Sequence, residues 1–310
     1  LYLNMLTGLC SGEEMMWLMR PAQCYSRSLG VPVEMVSLND VPSTMGTLPM
    51  FFKNAGIRYF ADAINEDRGP SFLHAEKNMI QSPFWWESFD GSRVLAIFTC
   101  TYWQAKQIKL DENVDAMAEA LPKFMGKFMH ADYPGDAIFI NGAFLDNCPM
   151  STHFSDVADE WNARWEYPRI IQTTPDEYFR YVEKNSANDL PVYRGDMGGF
   201  WEDGAASTAH ETSMARWSKA SISTAEKWQA LAKLAGKGNP SEKDYEAIWR
   251  DILYYDEHTW GSAESIANPS SDQSMGQWTR KANYAKNALE KSRNAEKTLG
   301  LDALTAISGS

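Results

Sequence analysis

The stretch from Val31 to Pro49, V-P-V-E-M-V-S-L-N-D-V-P-S-T-M-G-T-L-P, constrains this chain more than any other. Val31 to Leu38 is a mostly apolar run of strand length and reads as a buried strand. It stops abruptly at Asn39-Asp40. Val41-Pro42-Ser43 follows, and then an apolar helical pattern reaches Asn54. A carboxylate at the carboxyl end of a buried strand, on the turn into a helix, is where α/β enzymes place their chemistry. It is also where an aspartate caps a helix. At this point both readings of Asp40 stand.

The same alternation continues. Leu3 to Leu29 has helical spacing, and Gly30 stops it. After the second helix ends near Asn54-Ala55-Gly56, Ile57 to Ala63 reads as another strand. It runs into a polar loop, Asn65-Glu66-Asp67-Arg68-Gly69-Pro70. Asp90-Gly91 is a hairpin turn signal, and Val94 to Thr101 is the strand after it. Asp111 to His130 is an amphipathic helix. Ala137 to Gly142 is a further buried strand, ending at Asp146-Asn147-Cys148-Pro149. Three strands thus end in polar groups, at Asp40, Asn65 and Asp146, and in a barrel such ends share one face. Ser155 to Trp165 reads as helix, Tyr167 to Gln172 as a short strand, and Thr174-Pro175-Asp176-Glu177 as a helix start.

Near Lys184 to Asp189 the alternation stops. A Gly-rich loop with acids and aromatics follows, Asp196 to Gly204. Three long helical patterns come after it, Thr208 to Leu234, Glu242 to Tyr255 and Ser274 to Leu299, separated by short connections. That is an antiparallel three-helix bundle. The expected architecture is therefore α/β, a partial barrel over residues 1–189, followed by a helical bundle over residues 190–310.

Composition narrows the function. A formal net charge of −12 argues against nucleic acid as a partner. No apolar run is long enough to span a membrane. The 12 Trp and 13 Tyr suit sugar-binding clefts as well as cores. Cys10, Cys24, Cys100 and Cys148 show no zinc-ribbon or C-x-x-C spacing and read as reduced thiols. The chain begins with Leu and carries no signal-peptide pattern, so it reads as starting inside a larger protein. Cytoplasmic and secreted locations, and a homo-oligomer, all stay open.

Two groupings could carry chemistry. Asp40 and Asp146 suggest the paired carboxylates that glycoside cleavage requires. The densest stretch is Tyr254-Tyr255-Asp256-Glu257-His258-Thr259-Trp260-Gly261. It reads either as a helix end with His258 at the negative dipole, or as metal or sugar contact by Asp256 or His258.

Together these stretches resemble the family 38 glycoside hydrolases, the retaining α-mannosidases, and above all their divergent bacterial members. Asp40 stands where the family has the Asp that opens its nucleophile motif, at the same distance from Ala55-Gly56-Ile57. Phe84-Trp85-Trp86-Glu87 and Asp90-Gly91-Ser92-Arg93 look like the family's aromatic segment before a strand. Tyr193-Arg194-Gly195-Asp196, Phe200 to Gly204 and Arg216 resemble the entry to its helical bundle.

The resemblance implies a retaining, zinc-assisted glycosidase acting on a terminal α-linked sugar. Asp40 would be nucleophile and zinc ligand, Asp146 the general acid and base, and His258 a returning metal ligand. Asn65, Arg68, Trp86, Tyr102, Asn147, Trp201, Asp256 and Trp260 would touch the sugar, with Asp256 also a ligand candidate. The sequence departs from the family in several places. Its His-x-Asp metal pair is absent from the chain, and would lie upstream of Leu1, leaving this piece alone inactive. Pro42-Ser43-Thr44 replaces the usual Gly-His, and Asn65 stands where the family has an Arg. A non-catalytic glycan-binding relative, and a metal-dependent carbohydrate deacetylase, are the rival readings.

Overall fold

The structure is a computed structural model that describes residues 2–41, 43–64, 81–129, 133–143, 145–146, 148–149, 151–199, 201–236, 242–258 and 264–308. The chain divides into two compact units. One is Tyr25–Phe200. The other joins Leu1–Cys24 to Trp201–Ser310. The expected boundary at 189/190 therefore shifts, and the amino-terminal residues belong with the helices.

In the first unit, β1 (Met35–Asn39), β3 (Tyr59–Ala63), β5 (Arg93–Thr99), β4 (Phe84–Glu87) and β6 (Val192–Arg194) form one sheet in that spatial order. β1, β3 and β5 are parallel. β4 runs antiparallel to β5 and parallel to β6. Among the described residues β1 and β6 are the edges, so the expected barrel is seen here as an open, mixed sheet. The antiparallel step comes from the Asp90-Gly91 signal: Ser88 N–H bonds the Ser92 carbonyl at 2.8 Å, closing a tight hairpin.

Alternation sorts the sheet's side chains onto two faces. Tyr59, Ala61, Leu95 and Ile97 meet Tyr178, Phe179 and Val182 of a helix, α6 (Pro175–Ser186). The Tyr59 and Phe179 rings stack at 5.3 Å and 2°. On the opposite face Phe60 contacts Phe52, Trp86 and Phe98. Phe52 comes from α2 (Leu48–Asn54), which has Pro at its start. Buried on both sides, β3 and β5 read as near-continuous apolar runs.

Two expected strands form no ladder. Residues 137–142 instead lie between two cores: Ala137 and Phe139 pack on the sheet cluster, while Ile138 and Ile140 pack on α4 (Val114–Met125) and α5 (His153–Arg164). Their alternation is real, but helices rather than strands flank them. Residues 167–172 are held by α5, where the Asn162 side chain bonds both the N–H and the carbonyl of Ile170. One amide side chain there does the work of a neighbouring strand.

The second unit is built from α7 (Ala209–Leu234), α8 (Glu242–Asp256) and α9 (Asp272–Ser308), with the first turns of α1 (Gly12–Leu29). Its core holds Ile222, Ala225, Tyr245, Ile248, Trp249, Ile252, Ala288 and Leu299, and Trp17 of α1 stacks on Trp249. Small residues along α9 (Ala282, Ala285, Ala288, Ser292, Ala303) are buried and permit close helix approach. Ser11 and Glu14 start α1 with a reciprocal capping box: Ser11 N–H bonds the Glu14 carboxylate at 2.9 Å, and Glu14 N–H bonds the Ser11 hydroxyl at 3.3 Å.

Candidate active site

Asp40 lies one residue past β1. Its N–H bonds the Ala63 carbonyl at 2.8 Å, so the end of β3 fixes it in place. Its φ is +70°, a left-handed conformation that Asp tolerates better than most side chains. This turns the backbone out of the sheet and leaves the Asp40 side chain half-buried at the strand end. Asp40 does not start a helix there, because β2 (Ser43–Thr44) intervenes before α2. The capping reading therefore falls away.

Asp62, which the sequence reading passed over, is 1% exposed on β3. It pairs in register with Leu38 on one side and Phe98 on the other. Among the described residues, neither of its carboxyl oxygens has a hydrogen-bond partner. Burial, and then the charge of Asp40 beside it, push its pKa well above the usual carboxylate range. The signal was an acid inside Tyr59-Phe-Ala-Asp-Ala63, an otherwise apolar run.

The loop after Asp40 is braced from the far end of the same unit. β2 pairs antiparallel with β7 (Gly198–Gly199). The Asp196 carboxylate accepts the Gly46 N–H at 2.5 Å, and Met197 N–H bonds the Thr44 carbonyl at 2.9 Å. A Cβ on Gly46 would sit 2.7 Å from the Gly195 carbonyl carbon, so only glycine allows this approach. Trp86 is fully buried and donates to the Gly195 carbonyl at 2.9 Å. It was expected at the sugar. It is instead core, packed on Phe60 and Phe98, and it helps hold this brace. Tyr102 is likewise buried, its ring edge-on to Trp103 at 4.9 Å. Asp146 stands on an exposed turn. Asn65, Arg68, Asn147 and Trp260 lie outside the described residues.

The helical unit places Asp256, Glu257 and His258 at the end of α8. The bridge from Met5 to Glu257 holds this end, and His258 N–H reaches the Asn4 carbonyl at 3.2 Å. His258 Nδ1 lies 2.6 Å from a Glu257 carboxylate oxygen, and Trp201 is the tilted ring neighbour at 6.1 Å. Asp256 is buried and ion-paired with Lys219, which also contacts Glu14 at 2.9 Å and the Leu9 carbonyl at 2.9 Å. Cys10, Glu14 and Asp256 could offer ligand atoms all within 4.8 Å of one another. The Lys219 ammonium already supplies a positive charge there. Burial pushes Glu14 and the Cys10 thiol up, and the Asp256 and Glu14 charges add to it. The same charges outweigh burial at Lys219 and raise its pKa. Beside this pair is a cavity of about 560 Å³, lined by Gly8, Thr212, Arg216 and Trp217 among others. The ion pair accounts for Asp256 without a metal or sugar.

As a cation site, the Asp40 region fits better. Two orphaned, buried carboxylate oxygens next to a second carboxylate are what a divalent ion relieves.

A mostly parallel sheet, helices on both faces, and carboxylates at its strand ends define an enzyme-type α/β domain. The model of the glycosyl hydrolases family 38 N-terminal domain matches residues 15–196, and the chain belongs to that family. Among solved structures, it is similar to an α-mannosidase from Enterococcus faecalis V583, with a TM-score of 0.70 and 16% identity. That match covers 99% of this chain and 33% of the other, so the chain spans about a third of its length. No curated protein matches. No helix among the described residues is long and apolar enough to cross a membrane.

Proposed function

We propose that the chain is part of a retaining, α-mannosidase-like glycoside hydrolase, with Asp40 as its nucleophile. The observation that carries this is Asp40's position in a family 38 domain: past the end of a parallel strand, turned out by a positive φ, and held by Ala63 and by the 195–199 brace. In this reading the Asp40 carboxylate attacks the anomeric carbon as Asp146 protonates the departing oxygen. Asp146 then takes a proton from the water that cleaves the glycosyl ester. Retention requires the two carboxyls about 5–5.5 Å apart when substrate is bound.

A divalent cation, zinc by resemblance, would be held by Asp40, and when bound would grip sugar hydroxyls and offset charge. In the helical unit His258 is the returning metal ligand by resemblance, its Nδ1 turned to Glu257 and Asn4. Trp201 would offer a sugar-stacking ring beside His258.

The test is turnover of aryl α-mannosides by the complete gene product and by its Asp40→Asn form. We expect a loss of at least about a thousandfold in kcat for the variant, about 4 kcal/mol of barrier. Product should appear first as the α-anomer. Glycan binding without turnover in the complete protein would favour a non-catalytic relative. Acetate release would favour a deacetylase.

A further inference from the structure

We propose that Asp62 is a further protein ligand, with Asp40, to a divalent cation at the carboxyl end of the sheet. The inference deepens the reading of Asp40 above and rests on it.

Asp62 and Asp40 lie at the carboxyl ends of adjacent parallel strands. Asp62 is in register with Leu38, two residues before Asp40, and the Asp40 N–H bonds the residue after Asp62. Asp62 is 1% exposed, and among the described residues neither Oδ1 nor Oδ2 has a partner. An uncompensated buried carboxyl costs several kcal/mol, whereas Leu or Val would pack there at a gain. One ion between the two acids satisfies the bare oxygens and removes their mutual repulsion.

A turn residue bonded to the next strand of the sheet adds a further acceptor. Gln81 is buried, its N–H bonds the carbonyl of Asp62's other register partner, Phe98, at 2.7 Å, and among the described residues its Oε1 has no partner. Its side-chain nitrogen is turned to Cys100 Sγ, 2.8 Å away. The donors of the sheet unit are oxygens, which suit magnesium, calcium or manganese, and carboxylates also bind zinc. The Cys10–Glu14–Asp256 group also brings acids together, and Lys219 already occupies it.

The experiment is titration of the purified chain with zinc chloride and manganese chloride, followed by calorimetry. Asp62→Asn, Asp40→Asn and Cys10→Ser forms are compared, with circular dichroism checking their fold. We expect one equivalent bound, at least tenfold weaker binding in both aspartate variants, and unchanged binding in Cys10→Ser. Unchanged binding in Asp62→Asn alone overturns the inference and leaves the Asp40 reading intact. No binding by the wild-type chain, or binding lost in Cys10→Ser, overturns it too. Cobalt(II) bound to the wild-type chain gives a check that needs no variant. Carboxylate ligation shows no thiolate-to-cobalt charge-transfer band, and the appearance of such a band overturns the proposal.

Discussion

Tyr59 packs and bonds at once. Its ring stacks on Phe179, and its hydroxyl donates to the Glu183 carboxylate at 2.8 Å. Burial, then the bond to Glu183 and its charge, raises the phenol from 10.0 to about 12. The folded state therefore holds this proton more tightly than the unfolded chain. The stabilisation is fully present below pH 10 and is lost as pH rises through about 12. Tyr59→Phe should cost about 1 to 2 kcal/mol near neutrality. The gap between wild type and variant should narrow from pH 10 to 12, as followed by urea unfolding; a constant gap would contradict the assignment. At this scale sequence and structure part company over specific side chains. Asp40 was legible because a carboxylate ends an apolar run. Asp62 was not, because an acid within a buried run averages away. Trp86 looked like a sugar platform, since aromatic content does not tell a core ring from a cleft ring.

Helices were more legible than strands. The patterns for α7, α8 and α9 match the structure to within a few residues, except that α9 runs on to Ser308. Their periodicity is local, whereas a ladder needs a partner that sequence does not reveal. Residues 137–142 and 167–172 lost their strand assignment for that reason. The clearest element-level prediction concerns Lys219, which joins α7 to the end of α8 and the start of α1 through Asp256 and Glu14. Lys219→Met leaves two buried acids without their cation and should cost about 3–5 kcal/mol in urea unfolding. Adding Asp256→Leu and Glu14→Leu should recover much of that loss, because the isolated charges are then gone. If the single variant is as stable as wild type, the pair contributes no such restraint.

At the scale of the molecule, the sheet unit carries Asp40, Asp62 and Asp146, and the helical unit carries the 256–258 stretch. The βα alternation predicted the three parallel strands β1, β3 and β5 of the sheet unit. It could not predict that β4 runs antiparallel, or that β6 and β7 return from beyond residue 189 to complete the sheet and brace Asp40's loop. Such long-range pairing is set by tertiary contacts, not by local period. The most direct test of Asp40's role is to trap the complete gene product with 5-fluoro-α-mannosyl fluoride and map the labelled peptide by mass spectrometry. The account predicts a single glycosyl ester on Asp40, absent from Asp40→Asn. A label on another carboxylate, or turnover with inversion and no label, would contradict it.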